Sequence, residues 1–100
     1  MTDRNGYNDS LFITEQGRCF LSGYSGDTAR HEIFQGSNRK NSKADGLWIN
    51  VSQEFHDKWH NGKIEDVKKQ VQRNAELLWL QADWNRSIQD FVDRYGRNYL

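Results

Sequence analysis

From Ile64 onward the apolar residues Ile64, Val67, Val71, Ala75 and Leu78 recur at spacings of three and four. That 3.6-residue rhythm predicts an amphipathic helix whose inner stripe must be covered by something else in the chain. Leu77 and Leu80 broaden the stripe. A second helical set follows in Trp84, Ile88, Phe91, Val92 and Tyr95, closed by Gly96, with Asp83 placed to cap it. The covering material has to come from the first half, where no comparable helical period exists.

That half reads as short apolar runs separated by turn residues. Leu11-Phe12-Ile13 and Cys19-Phe20-Leu21 flank a Gly17 turn and predict a β-hairpin. His31-Glu32-Ile33-Phe34 reads as a short strand, and Leu47-Trp48-Ile49-Asn50-Val51 alternates as a half-buried strand does. Between them, Gln35 to Gly46 is polar and reads as a loop. Ser52 stands at an N-cap position with Glu54 in the first turn, so a short helix runs to about Trp59 and stops at Gly62. The expected architecture is one small α+β domain over residues 11–100, short β-hairpins followed by C-terminal amphipathic helices, behind a flexible arm over residues 1–10.

One hundred residues fit a single domain, and an apolar content of 35% leaves a small core. Thirteen aromatic residues compensate, because each buries a large area per residue ordered. Trp48, Trp59, Trp79 and Trp84 are read as core or interface anchors, with Trp59 marked for partner contact. So small a core leaves a role for a partner or a homodimer contact. Lys plus Arg and Asp plus Glu number 14 each, so overall charge does not drive binding to nucleic acid, and only a local basic patch would. Cys19 is the single cysteine, which excludes an internal disulfide. With no long apolar run and a polar start, the expectation is a cytoplasmic protein without a membrane segment.

Three histidines carry the chemistry: His31 on a strand, then His56 and His60 four residues apart on the next helix. A strand histidine and a helix histidine, joined through a loop and a returning strand, have the layout of a ββα-metal site, where hairpin and helix clamp one divalent cation. On spacing alone, the same residues also read as surface or hydrogen-bonded histidines.

The stretch Arg30-His31-Glu32-Ile33-Phe34-Gln35-Gly36-Ser37-Asn38-Arg39-Lys40, then Ser42 and Gly46-Leu47-Trp48, resembles an HNH-type (ββα-metal, His-Me finger) family of phage and prophage proteins. Members of that family read H-H-I-F-G-G-x-N-R-K-x-S, then Y-G-L, then C-P-x-H-H-N. Cys19-Phe20-Leu21-Ser22-Gly23 stands against its C-x-x-C-G, and Tyr95-Gly96-Arg97-Asn98-Tyr99-Leu100 against its F-G-(R/K)-N-Y-L ending.

The resemblance implies an HNH-like fold and a phage-encoded, divalent-metal-dependent protein that binds or nicks DNA. It makes His31, His56 and Asp57 metal ligands, Glu32 the residue at the general-base position, and His60 a substitute for a further family histidine whose place is taken by Ile64. Imidazoles suit Mn²⁺, Ni²⁺ or Zn²⁺ better than Mg²⁺. Asn38, Arg39, Lys40 and Lys43 become contacts to the DNA backbone. The family's structural zinc ligands fall at Cys19, Ser22, Ser52 and Phe55; one thiolate of four remains, so no structural zinc is expected. The lost ligands and the aromatic excess fit an alternative: an inactive HNH-like scaffold that binds and inhibits a host defence nuclease, as anti-CRISPR proteins do.

Overall fold

The computed structural model describes residues 2–100, and Met1 lies outside them. Two strands, β1 (Ala29–Glu32) and β2 (Trp48–Val51), pair antiparallel with His31 opposite Ile49. After them come α2 (Gln53–His60), α3 (Glu65–Ala82) and α4 (Ile88–Tyr95). The fold is therefore α+β, a ββα unit with C-terminal helices, as the sequence predicts.

The connection between the strands is not the open loop expected over 35–46. A 3₁₀ turn at Gly36–Asn38 leads into helix α1 (Arg39–Ala44). Arg, Lys and Ala are good helix formers, and one buried side chain locks the turn in place. The Ser42 hydroxyl accepts from the Phe34 amide at 3.2 Å and donates to the Leu47 carbonyl at 2.6 Å. Gly46 then reverses the chain at φ +73°, and a Cβ there would sit 2.2 Å from the Asp9 carbonyl oxygen. Glycine is required on both counts.

The predicted hairpin over 11–21 does not form as strands. Only isolated bridges join Glu15 to Arg18 and Arg18 to Ser25. The segment instead lies along β2, where the Phe20 amide donates to the Asn50 carbonyl at 2.8 Å and the Asn50 amide to the Thr14 hydroxyl at 3.0 Å. Of its apolar residues, Phe12 and Cys19 join the core and Leu11 and Leu21 pack against it, whereas Ile13 is 98% exposed and Phe20 38%. Described residues ahead of it, in the part expected as a flexible arm, make polar contacts to the domain. Ser10 donates to the Trp48 carbonyl at 2.6 Å, Trp48 Nε1 to the Asn8 carbonyl at 2.8 Å, and Arg30 pairs with Asp3 at 2.7 Å.

Ser52 caps α2 as predicted, its hydroxyl accepting from the Phe55 amide. Gly62 follows the Asn61 C-cap with φ +72°. The cap of α4 is Ser87, which forms a capping box with Asp90, and not Asp83, which ends α3. The missed cap also misplaced Trp84: it stands before α4 and is 88% exposed, so it is no core anchor. Trp79 is buried as expected, and Trp59, marked for partner contact, is instead buried within the domain.

The core joins Ile33, Phe34, Leu47, Ile49 and Val51 to Val71, Ala75 and Trp79 of α3 and to Phe91 and Tyr95 of α4. Asp45, at the end of α1, ties the layers together. Its carboxylate accepts from Trp79 Nε1 at 3.0 Å, the Tyr95 hydroxyl at 2.6 Å and the Arg94 guanidinium. No described helix is long and apolar enough to cross a membrane.

Candidate metal centre

Strand alternation gives β1 two chemically different faces. Arg30 and Glu32 share one with Tyr7 and Trp48: the Arg30 guanidinium lies 4.5 Å from the Tyr7 ring centre and 4.9 Å from that of Trp48. His31 takes the other face and meets α2. There the capped helix presents His56 and His60 one turn apart, with Trp59 between them in sequence.

The three imidazoles form a closed group. Ring centres are 5.2 Å apart for His31 and His56, 5.5 Å for His31 and His60, and 4.6 Å for His56 and His60. Trp59 walls the group, its ring centre 4.6 Å from that of His31. One nitrogen from each ring can be chosen so that all three lie within 4.8 Å of one another. Three imidazoles around an ion at about 2.1 Å need separations of about 3.4 Å, so the set would have to draw together to hold one ion.

His31 is 1% exposed, and neither of its ring nitrogens has a hydrogen-bond partner among the described residues. A buried imidazole normally satisfies both nitrogens, and each one left open costs about 1–3 kcal/mol. Burial, then the neighbouring His56 and His60, push its pKa down to about 3. His60 is lowered as well, by desolvation and by the charges of His56 and Lys68. Both rings are thus neutral at pH 7 and offer lone pairs, the form a metal requires. The donor set fits a divalent cation.

The remaining sequence candidates fall outside this group. Asp57 stands at its edge: its Oδ1 is 4.0 Å from His56 Nδ1 and accepts from Gln53 at 2.8 Å. Glu32 sits on the opposite face of β1, where it accepts from the Tyr7 hydroxyl at 2.8 Å and pairs with Arg39. Burial works to raise the Glu32 carboxyl, but the Arg39 and Tyr7 hydrogen bonds prevail and hold it below the usual range. It is a buried, ion-paired carboxylate. His60, which the resemblance made a substitute for a further family histidine, joins His31 and His56 as the third candidate ligand.

The residues expected to contact DNA lie on or beside α1. Asn38 Nδ2 donates to the Tyr95 carbonyl at 2.9 Å, Arg39 is held by Glu32, and the Lys43 ammonium lies 4.8 Å from the Tyr7 ring centre. Lys40 is exposed and lies in none of the ion pairs among the described residues.

The positions compared with structural zinc ligands do converge. Cys19, 1% exposed, is hydrogen-bonded with Ser22 and Ser52, and Ser22, Ser52 and Phe55 line one hollow. Burial raises the Cys19 thiol, and the two serines outweigh it, bringing the pKa down to about 7.

Against family models, curated proteins and solved structures, the chain has no match. What it shares with HNH-type proteins is the generic ββα arrangement and a histidine cluster able to hold a metal. Nothing in the structure singles out a phage family.

Proposed function

We propose that the protein is a phage-encoded, HNH-like protein that uses one divalent cation to bind and nick DNA. The observation that carries this reading is His31: a buried imidazole with both nitrogens open, facing two further imidazoles. Folding tolerates such a cost where a ligand recovers it. His31, His56 and His60 would hold the ion, and the all-imidazole set favours Mn²⁺, Ni²⁺ or Zn²⁺ over Mg²⁺. A divalent cation there supplies Lewis-acid polarisation of a phosphoryl oxygen and eases the ionisation of water. The chain's own contribution is orientation. His31 is fixed by the strand pair and Trp59, and His56 and His60 by a capped helix. Asp57, beside His56, orients that ring or joins the ligand set. Lys40, exposed on α1, and Arg39, paired there with Glu32, would be secondary contacts to the phosphate backbone.

The test is nicking of supercoiled plasmid with Mn²⁺, Ni²⁺ or Mg²⁺, comparing wild type with His31→Ala and His56→Ala. Cutting that needs both histidines and prefers Mn²⁺ or Ni²⁺ supports the reading. Variants that cut as well as wild type remove it.

A second reading has its own observation. Glu32, at the position of the family's general base, faces away from the triad and is tied to Tyr7 and Arg39. This favours an inactive scaffold that binds and inhibits a host defence nuclease. A folded wild type that binds metal but cuts under no condition would put this reading first.

A further inference from the structure

Between α3 and the C-terminal tail lies a polar hollow of about 510 Å³ into which Lys68, Lys69 and Arg97 project. Glu65 is the one carboxylate side chain among its described lining residues. None of the three cations is ion-paired to a carboxylate among the described residues. They come together for reasons visible in the fold. Lys68 and Lys69 occupy adjacent positions on one side of α3. Arg97 is held on the tail by stacking on Tyr99, its guanidinium carbon 4.6 Å from the ring centre. Tyr99 is itself anchored, its amide donating to the buried Glu76 carboxylate at 2.6 Å and its ring 4.9 Å from that of Phe34.

The hollow adjoins the triad. The Lys68 ammonium lies 5.9 Å from the ring centre of Trp59, the residue that walls His31. Its charge reaches both His31 and His60. By contrast, Arg39 lies with Glu32 on the far face of β1 and already has a carboxylate partner.

Building on the metal-centre reading, we propose that this hollow receives the phosphodiester backbone of DNA, with Lys68, Lys69 and Arg97 as its phosphate contacts. Three like charges around one hollow repel each other, and an extended anion relieves that strain. The stacked Arg97 keeps its N–H edge free for a phosphate fork, while the two ammonium groups act as point charges. A chain of zero net charge can hold nucleic acid only through such a local concentration of cations.

The experiment uses the full chain in chelator, so that duplex binding is read without metal. Fluorescence anisotropy of a labelled duplex is followed over a salt series for wild type, for Lys68→Gln/Lys69→Gln/Arg97→Gln and for Arg39→Gln/Lys40→Gln. Losing three phosphate contacts should flatten the slope of log K against log salt by about 2.7. Between about 50 and 200 mM salt, wild type then weakens about 40-fold more than the triple variant. The α1 variant should change the slope by less. Thermal unfolding confirms that each variant is folded. A folded triple variant with the wild-type slope overturns the proposal, as does a folded wild type that binds no duplex at low salt. Calorimetric titration with Zn²⁺ separates the two claims. Lost slope without zinc binding sinks the metal centre alone, and zinc binding with an unchanged slope sinks the groove alone.

Discussion

Replacing His31 by Leu should make the metal-free protein more stable. The native ring is 1% exposed with both nitrogens open, and each open nitrogen costs about 1–3 kcal/mol. Leucine removes both polar atoms, and the change of shape returns about 1 kcal/mol as packing strain. The net gain is about 1–5 kcal/mol, and each kcal/mol raises the melting temperature of a domain of this size by about 4–8 °C. The comparison is thermal unfolding by circular dichroism in chelator at pH 7. With Zn²⁺ at about 100 times its dissociation constant the ranking should close or reverse, because wild type gains about 2.7 kcal/mol and the variant far less.

The pH dependence has a definite sign. With its folded pKa pushed down to about 3, His31 stays neutral in the native state while the unfolded chain takes up a proton below about 6.5. Wild type therefore loses about 1.4 kcal/mol per pH unit as pH falls through that window. The variant lacks this slope, so its advantage should widen from pH 7 towards pH 4. A His31→Leu protein less stable than wild type in chelator, or one whose advantage does not grow in acid, would refute the reasoning.

Asp45→Ala should cost about 2–4 kcal/mol in urea unfolding, because Trp79, Arg94 and Tyr95 all lose their acceptor, while metal affinity stays at the wild-type value. Tyr7→Phe should cost about 1.5–3 kcal/mol by removing a hydrogen bond to a charged acceptor. Glu32 is held below the usual carboxyl range, so it contributes stability present above its unfolded pKa and lost as pH falls through the folded one. That acid-sensitive contribution should shrink in Tyr7→Phe, as read from stability curves between pH 6 and pH 3. Ser22→Cys/Ser52→Cys/Phe55→Cys, completing four thiolates with Cys19, should create a tetrahedral site. Co²⁺ absorption would report it, and a spectrum without tetrahedral bands would show that the four positions do not meet closely enough.

How much of this was legible in the sequence depended on whether the signal was local. Helix α3, the Ser52 cap and the Gly62 stop follow from periodicity and cap chemistry, and β2 from its alternation. The 35–46 segment misled because a run of polar residues reads as a loop unless the buried Ser42 bridge between Phe34 and Leu47 is known. Around Cys19 the apolar runs were real, but their hydrogen-bond partners lie on β2, far along the chain.

His31, His56 and His60 were found by spacing, and only the fold adds that His31 is buried without hydrogen-bond partners among the described residues. Glu32 faces away from His31 because strand neighbours alternate, whereas its partner Tyr7 sits in a segment with no periodic signal. Lys68 and Lys69 could have been noticed as neighbouring cations on one helix. Arg97 joins them only because Tyr99 docks between Phe34 and Glu76.

The central claim, that His31, His56 and His60 jointly hold one divalent cation, is tested most directly by calorimetric titration of the metal-free protein with Zn²⁺ and Mn²⁺ at pH 7. Wild type should bind one ion per chain, with His31 and His60 adding little to any proton release because both are already neutral. Each of His31→Ala, His56→Ala and His60→Ala should weaken binding at least tenfold while remaining folded. No binding by wild type, or one-to-one binding of unchanged affinity in all three variants, would contradict the account.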